Sequence, residues 1–326
     1  MSHIYIYSPS GAVINKPAFK RGIRTLETLG HQVELDEAVL ARDTRFAGDD
    51  ATRLAAIHRA ASSGADVALI SRGGYGLSRL LPAVPYKAIA KSIERGTQWV
   101  GLSDFPALQL ALLAQTGAHS WAGPALGEDF GHAWDAGAEA DDIMLACFDD
   151  LLRGQGEGAG WRMPSEGKRK PSATKSIATY ASNTVATGQF DAYESKPGVL
   201  WGGNLSMLAS LVGTPYLPAV KNGLLFIEDV SEHPYRIERM LTQLLHAGVL
   251  ARQQAVIFGQ FTSYQLAPQV DKGYKLQSVV DWLRTQIKAP VLCGLPFGHV
   301  PTKVLLPCGM KTRLSVQGRD ALLYWG

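Results

Sequence analysis

The chain has 326 residues, of which 46% are hydrophobic and 19% are charged, and its formal net charge is +3. This length is sufficient for two packed domains, and the composition excludes fibrous and disordered classes. The small and dispersed positive charge argues against a nucleic-acid partner.

The cysteines Cys147, Cys293 and Cys308 are too few and too widely spaced for a disulfide framework or a zinc site, which favours a reducing compartment. The N-terminus lacks a signal-peptide pattern, and no run reaches the about 18 apolar residues needed to span a bilayer. We therefore expect a cytoplasmic protein without a membrane partner.

The first half of the chain alternates between short apolar strands and amphipathic helices. Strands are predicted at Ile4–Tyr7, Gln32–Leu35, Val67–Ile70 and Trp99–Leu102, with helices between them. This pattern predicts an α/β domain over residues 1–153 with a parallel sheet of flavodoxin or Rossmann type. Its ligand site is expected at the carboxyl edge of the sheet, where Ser8, Ser71 and Ser103 fall.

A glycine-rich loop, Ser71 to Gly76, follows the predicted Val67 strand. It can be a tight turn, a phosphate-binding loop, or a cradle for an anion or oxyanion, because closely spaced glycines let amide groups approach a ligand. The sequence matches neither G-x-G-x-x-G nor a Walker motif, which disfavours the phosphate reading. Candidate substrate-binding residues here are Arg72, Tyr75 and Arg79, and the two arginines are candidate partners for a carboxylate.

Ser103 lies between a predicted strand and a predicted buried helix. Asp104 is a good helix N-cap residue and Pro106 suits the first helical turn, so the segment reads as strand, sharp turn and helix. Such a turn can expose a nucleophile beside free amide groups. The second glycine of the G-x-S-x-G elbow is missing, so Ser103 is a candidate nucleophile or a capping serine.

Periodicity weakens over residues 154–195, which we interpret as a linker with an inserted basic loop. The cluster Lys168-Arg169-Lys170 is typical of a solvated loop, with anion binding as the alternative.

The remaining residues, 196–326, predict a second, mixed α/β domain. Asn204 is placed to cap a helix, and the strand Leu224–Ile227 ends at Glu228 and Asp229. An apolar helical stripe from Ile237 to Leu245 follows. The tail is expected to form antiparallel sheet from three short strands, Val304–Leu306, Thr312–Val316 and Ala321–Tyr324.

A serine nucleophile needs a base and an acid that orients the base. His299 is the best candidate base because it lies in a Gly/Pro-rich turn after a buried strand; His119, His233 and His246 compete. Glu228 is the leading acid, since it ends an apolar strand and is costly to keep charged without a partner. Spacing alone leaves Asp229 and Glu232 open.

Five collinear stretches are spread over most of the chain, from Ser71 to Val300: SRGGYGLSRLL, VGLSDFPALQLALLA, WGGNLSMLASLVGTP, LFIEDVSEHPYRIERMLTQLLHAG and PFGHV. Together they resemble the LD-carboxypeptidase family of serine peptidases. The resemblance implies that Ser103 is the nucleophile, His299 the base and Glu228 its orienting acid. It also implies an oxyanion hole from the amides of Asp104 and Gly74, and no metal or cofactor.

The resemblance implies release of the C-terminal D-alanine from muropeptide tetrapeptides, with Asn204 as a further candidate substrate-binding residue. Family members often form homodimers, so a homodimer is expected. Residues 165 to 193 exceed the typical family length, which leaves two alternatives open. One is a microcin-type self-immunity peptidase that cleaves peptidyl nucleotides, with Trp161, Tyr180 or Tyr193 as a stacking platform. The other is a non-catalytic α/β protein that binds an anion.

Overall fold

The computed structural model describes residues 1–131, 140–164 and 192–326. These residues divide into two compact units. The first contains Met1–Gly156, Gly213–Pro218 and Pro301–Gly309, and the second contains Glu157–Val212, Ala219–Val300 and Met310–Gly326. Two short segments from the second half of the chain thus return to the first unit.

The first unit is built on a sheet with the strand order β12-β5-β4-β3-β1-β2. Its strands are β1 (His3–Tyr7), β2 (Gln32–Leu35), β3 (Val67–Ile70), β4 (Gln98–Gly101), β5 (Ser120–Ala122) and β12 (Leu306–Cys308). Strands β1 to β5 are parallel, and β12 pairs antiparallel with β5. The parallel sheet predicted for this half of the chain is confirmed.

Helices cover this sheet and supply its hydrophobic core. They are α1 (Lys16–Thr28), α2 (Asp50–Ser62), α3 (Leu77–Leu80), α4 (Tyr86–Glu94), α5 (Pro106–Thr116) and α6 (Asp142–Arg153), with a 3₁₀ turn at Leu81–Ala83 and a π-helical turn at Leu126–Phe130. Every residue of α5 from Pro106 to Leu112 is buried, as its continuous apolar sequence predicts. The helix ends at Gly117, whose φ of 74° is the left-handed conformation of a helix C-cap.

The second unit contains a larger mixed sheet with the order β11-β10-β9-β8-β13-β14-β6, and β7 pairs with β13. Its strands are β6 (Gly158–Arg162), β7 (Ala192–Glu194), β8 (Gly198–Asn204), β9 (Leu224–Val230), β10 (Ala255–Thr262), β11 (Val291–Cys293), β13 (Lys311–Gln317) and β14 (Asp320–Tyr324). Strands β8 to β11 run parallel, whereas β13, β14 and β6 are antiparallel. The predicted mixed fold that ends in antiparallel strands is confirmed.

The helices of the second unit are α7 (Leu205–Ser210), α8 (Pro234–His246), α9 (Pro268–Asp271) and α10 (Leu276–Gln286), with a 3₁₀ turn at Leu250–Arg252. The apolar stripe of α8 is buried as predicted, through Ile237, Met240, Leu241 and Leu244. Asn204 caps α7 by accepting a hydrogen bond from the Met207 amide, which confirms the predicted cap.

The strand predicted at Val304–Leu306 is wrong in its position and in its partner. It forms two residues later, as β12, and pairs with β5 in the first sheet instead of joining the antiparallel tail. Alternating or continuous hydrophobicity indicates a buried strand but carries no information about its neighbour.

Part of the segment 154–195, predicted as linker and basic loop, carries regular structure. Strand β6 pairs with β14, and β7 pairs with β13. The cluster Lys168-Arg169-Lys170, Tyr180 and most of the predicted long loop lie outside the described residues.

Candidate active site

Ser103 occupies a sharp turn after β4, as the sequence predicts. Its φ is 70°, a left-handed conformation that costs a non-glycine residue about 1–3 kcal/mol and therefore requires support from its surroundings. Helix α5 begins three residues later, at Pro106. The strained turn lifts the serine side chain from the carboxyl end of β4, which is the arrangement of a nucleophile elbow.

Two glycines make the Ser103 turn possible. A Cβ at Gly101 would lie 2.5 Å from the Phe105 ring, and a Cβ at Gly73 would lie 2.4 Å from the Ser103 Cβ and 2.7 Å from its Oγ. Such contacts are shorter than real side chains tolerate, so both positions exclude a larger residue. The glycine-rich loop therefore packs directly against the candidate nucleophile. Sequence reasoning selected Gly74 in this loop and missed the contact made by Gly73.

The prediction that Asp104 caps helix α5 is wrong. The N-cap position belongs to Phe105, and the Asp104 carboxylate instead accepts hydrogen bonds from the Ser10 hydroxyl at 2.5 Å and from the Leu77 amide at 2.9 Å. The side chain is 1% exposed, and burial raises its pKa against the hydrogen bonds that lower it. The left-handed turn at Ser103 directs Asp104 towards the glycine-rich loop.

Two backbone amides were predicted to form an oxyanion hole, those of Gly74 and Asp104. Gly74 is exposed, with a φ of 114° that favours glycine, and its loop is held by a 3.2 Å hydrogen bond from the Gly11 amide to the Gly73 carbonyl. Within the described part of the chain, the amides of Gly74 and Asp104 donate to no protein acceptor. Both predicted donors therefore remain available to a ligand oxygen.

The arginines proposed as carboxylate partners already have protein partners. Arg72 donates to the Ala12 carbonyl at 3.1 Å and lies 3.6 Å from the Glu128 carboxylate. Arg79 forms a 3.0 Å ion pair with Asp50.

Arg79 and Tyr75 both lie near the ring of Phe46. The Arg79 guanidinium is 4.9 Å from the ring centroid of Phe46, which in turn lies 6.1 Å from the ring of Tyr75. Tyr75 is 41% exposed. Of the residues predicted to bind substrate here, Tyr75 and Arg79 are exposed, whereas Arg72 is half-buried.

The second unit brings Glu228 and His299 together. Glu228 lies in β9 with a fully buried side chain, and its Oε2 is 2.8 Å from the His299 Nδ1. Gly298 permits this approach, because it has a φ of 136° and a Cβ there would lie 3.1 Å from the same carboxylate oxygen. A histidine whose Nδ1 faces a buried carboxylate has its tautomer and ring orientation fixed, which leaves Nε2 as the proton acceptor.

Asn204 donates hydrogen bonds to both Glu228 and Asp229. Its Nδ2 donates to Glu228 Oε1 at 3.2 Å and to Asp229 Oδ1 at 3.0 Å. Asp229 also accepts from the amide and hydroxyl of Ser206 at 2.9 and 2.7 Å. Burial, followed by the charge of Glu228, raises the pKa of Asp229 to about 6. The amide group of Asn204, predicted to bind substrate, is thus engaged with two carboxylates.

Two of the competing residues, Glu232 and His233, have other partners. Glu232 pairs with Arg236 at 3.7 Å on the surface. His233 caps α8 and lies 3.1 Å from Asp271. Of the candidates left open by spacing, Glu228 and His299 are the acid and histidine that contact each other.

In the ranges 1–131, 140–164 and 192–326, no three His, Cys, Asp or Glu side chains are grouped so that they could hold a metal ion. Across the same ranges, no helix combines the length and apolar character needed to cross a bilayer.

Comparison with protein families gives two matches that together cover most of the chain. The LD-carboxypeptidase N-terminal domain matches residues 4–123, and the LD-carboxypeptidase C-terminal domain matches residues 197–314. The first range contains Ser103 and the glycine-rich loop, and the second contains Glu228 and His299.

Two relatives are similar over nearly the whole chain, and a third is similar over about three quarters of it. The crystal structure of muramoyltetrapeptide carboxypeptidase from Oxalobacter formigenes is 33% identical, with a TM-score of 0.80, over 99% of this chain and 98% of that one. The "Probable murein peptide carboxypeptidase" of Bacillus subtilis is 28% identical over 92% of this chain and 85% of its own. The microcin C7 self-immunity protein of Escherichia coli is 27% identical over 76% of this chain and 70% of its own.

Proposed function

The chain belongs to the LD-carboxypeptidase family of hydrolases, and we propose that it releases the C-terminal D-alanine from muropeptide tetrapeptides in peptidoglycan recycling. The proposed substrate is L-Ala-γ-D-Glu-meso-diaminopimelate-D-Ala. The relatives named for murein peptides support this substrate class. The main support for a serine hydrolase mechanism is the 2.8 Å contact between His299 and the fully buried Glu228.

In the proposed mechanism, His299 is the general base and Glu228 keeps it in the reactive form. The buried carboxylate accepts a hydrogen bond from the Nδ1–H group, so Nε2 carries the lone pair that removes the proton from the Ser103 hydroxyl. The carboxylate then stabilises the imidazolium that results. No metal or cofactor takes part in this scheme.

Acylation breaks the peptide bond before the terminal residue. The Ser103 Oγ attacks the carbonyl carbon at the L-centre of diaminopimelate, and the carbonyl oxygen becomes an oxyanion. His299 returns its proton to the departing nitrogen, which leaves as D-alanine. Water, deprotonated by the same histidine, then hydrolyses the ester and regenerates the serine.

The Gly74 and Asp104 amides are the proposed oxyanion donors. Asp104 follows Ser103 directly in the chain. Gly74 follows Gly73, which packs on the serine side chain. Donors that are already oriented stabilise the developing charge without reorganisation, and one such donor contributes about 10²–10³ in rate in comparable enzymes.

A second candidate substrate is a peptidyl nucleotide, which the similarity to the microcin C7 self-immunity protein favours. Two of the aromatic residues suggested for stacking have structural contacts instead. Trp161 is buried and donates to the Cys293 carbonyl at 3.1 Å, and the Tyr193 hydroxyl donates to the Gln254 carbonyl at 3.0 Å. These contacts reduce the case for a nucleotide platform in the described residues, so the murein peptide remains the leading proposal.

The test compares the two substrate classes at equal concentration. Wild-type protein is incubated with the tetrapeptide and, separately, with an aspartyl-adenylate mimic, and kcat/KM is measured for each. We expect the tetrapeptide to be the better substrate. Hydrolysis of the nucleotide conjugate alone would reject the murein assignment while retaining the serine hydrolase. Light scattering tests the accompanying expectation that the protein is a homodimer, and cell fractionation tests the cytoplasmic location.

A further inference from the structure

The Asp104 side chain links three loops at the carboxyl edge of the first sheet. Ser10 belongs to the loop after β1, and Leu77 begins α3 after the glycine-rich loop. Asp104 itself follows Ser103, and its Oδ2 accepts from the Ser10 hydroxyl and the Leu77 amide at 2.5 and 2.9 Å. The nearby Gly76 amide also lowers the pKa of this carboxylate. One side chain therefore holds all three loops.

This carboxylate and one backbone hydrogen bond hold the glycine-rich loop on both sides of Gly74. Before Gly74, the Gly73 carbonyl accepts from the Gly11 amide at 3.2 Å. After it, Asp104 accepts from the amide of Leu77 at the end of the loop. The Gly74 amide lies between these two anchored points, so its direction depends on both.

The position is costly for a carboxylate. The side chain is 1% exposed, and its Oδ1 has no hydrogen-bond partner among the described residues. A buried carboxylate oxygen without a donor is unfavourable, and an apolar residue would avoid this cost. Arg53, which is fully buried, contributes an attractive charge but donates to the Pro9 carbonyl and pairs with Asp50. The carboxylate is better explained by the groups that it orients than by a contribution to stability.

We propose that the Asp104 carboxylate is a positioning residue that fixes the Gly74 amide of the oxyanion hole relative to Ser103. The inference rests on the proposed function, because it assigns a role to the side chain of a residue whose amide is itself a proposed donor. It concerns the first unit alone and depends on no particular substrate. The side chain touches neither the substrate nor the reacting atoms, and its effect passes through the backbone.

The test uses a serine-reactive fluorophosphonate, whose phosphoryl oxygen becomes negatively charged in the transition state and needs the same donors. We measure the rate constant for labelling of Ser103, located by peptide mapping, in wild type and in Asp104→Leu. The variant keeps the side-chain size but removes the single oxygen, Oδ2, that accepts from both Ser10 and Leu77, which an amide side chain could replace. We expect labelling to slow by about 10- to 100-fold, because the donor is displaced and not removed.

Two further variants separate positioning from folding. Asp36→Leu makes the same change at a buried carboxylate that binds Tyr5 and Arg59, beside β2 at the far edge of the sheet. We expect it to lower the melting temperature and to leave the labelling rate within about twofold of wild type. If Asp104→Leu fails to fold, Ser10→Ala removes one hydrogen bond and keeps the carboxylate, and it should slow labelling by about 3- to 10-fold.

The outcomes distinguish the inference from the substrate assignment. Wild-type labelling that slows in Asp104→Leu supports the positioning role, even if the tetrapeptide is not cleaved, in which case only the substrate proposal fails. Equal labelling of wild type and Asp104→Leu overturns the positioning role, even if D-alanine is released. Equal slowing by Asp36→Leu also overturns it, as does a wild-type protein that is not labelled at Ser103.

Discussion

Replacement of Glu228 by Gln tests the acid–base pair most sharply. The carboxylate has two acceptor oxygens, one 2.8 Å from His299 Nδ1 and the other 3.2 Å from Asn204 Nδ2. Glutamine offers one acceptor oxygen and one NH₂ group. If its oxygen faces Asn204, the NH₂ forces Nδ1 to accept and moves the imidazole proton to Nε2. The histidine then cannot receive the proton of Ser103.

The size of the effect follows from this change of tautomer. The equivalent carboxylate-to-amide change in a comparable serine protease lowers kcat by about 10⁴, which corresponds to about 5.4 kcal/mol in the activation free energy. In the alternative rotamer, the glutamine oxygen keeps the bond to His299, but the glutamine NH₂ group faces the NH₂ group of Asn204. This contact costs about 1–3 kcal/mol. We therefore expect a kcat at least about 10³-fold below wild type with a folded protein.

The assay measures D-alanine released from the tetrapeptide, coupled to D-amino-acid oxidase. Glu232→Gln is the matched control, since Glu232 lies in the segment after β9 and pairs with Arg236 at the surface. It should change kcat by less than about twofold. A Glu228→Gln variant within tenfold of wild type, or an equal loss in Glu232→Gln, would refute the assignment of the acid.

Three further predictions concern the glycine-rich loop, the buried carboxylates and metal independence. Gly73→Ala places a Cβ 2.4 Å from the Ser103 Cβ, so kcat should fall by about 100-fold while circular dichroism stays unchanged, and a fully active variant would contradict the packing. The pKa of Asp229 is raised from 3.8 to about 6, so the folded state binds more protons than the unfolded state between these values. Stability should therefore fall as pH rises through that window, by about 3 kcal/mol in total, and urea unfolding of Asp229→Asn should lack this slope. An identical slope in both proteins would show that other groups cause it. EDTA should leave D-alanine release unchanged, and reversible loss of activity upon chelation would reject the proposed mechanism.

Strands β1, β3 and β4 of the first sheet were predictable because they are mainly apolar and helical segments separate them. Ser103 could be placed at a strand-to-helix turn for the same reason, and its left-handed φ is consistent with a segment that bears a candidate nucleophile. The acid was harder to identify. Glu228, Asp229 and Glu232 are close in sequence, and only the fold determines which carboxylate meets His299.

Tertiary hydrogen bonds account for what sequence reasoning missed. The composition of the Asp104 segment favours a helix cap, but the buried donors of Ser10 and Leu77 lie 94 and 27 residues away along the chain. Asn204 was expected to contact substrate, whereas its amide contacts two carboxylates that follow it by 24 and 25 residues. Contacts at such separations leave no periodic signal in the sequence.

The central claim is that Ser103 is the nucleophile that releases D-alanine from the tetrapeptide. The most direct measurement is mass spectrometry of L-Ala-γ-D-Glu-meso-diaminopimelate-D-Ala after incubation with wild type and with Ser103→Ala. We predict loss of one alanine with wild type and a rate lower by about 10⁶ in the variant, as for a comparable triad. Full activity of Ser103→Ala would contradict the claim, and an intact tetrapeptide after incubation with folded wild type would reject the substrate.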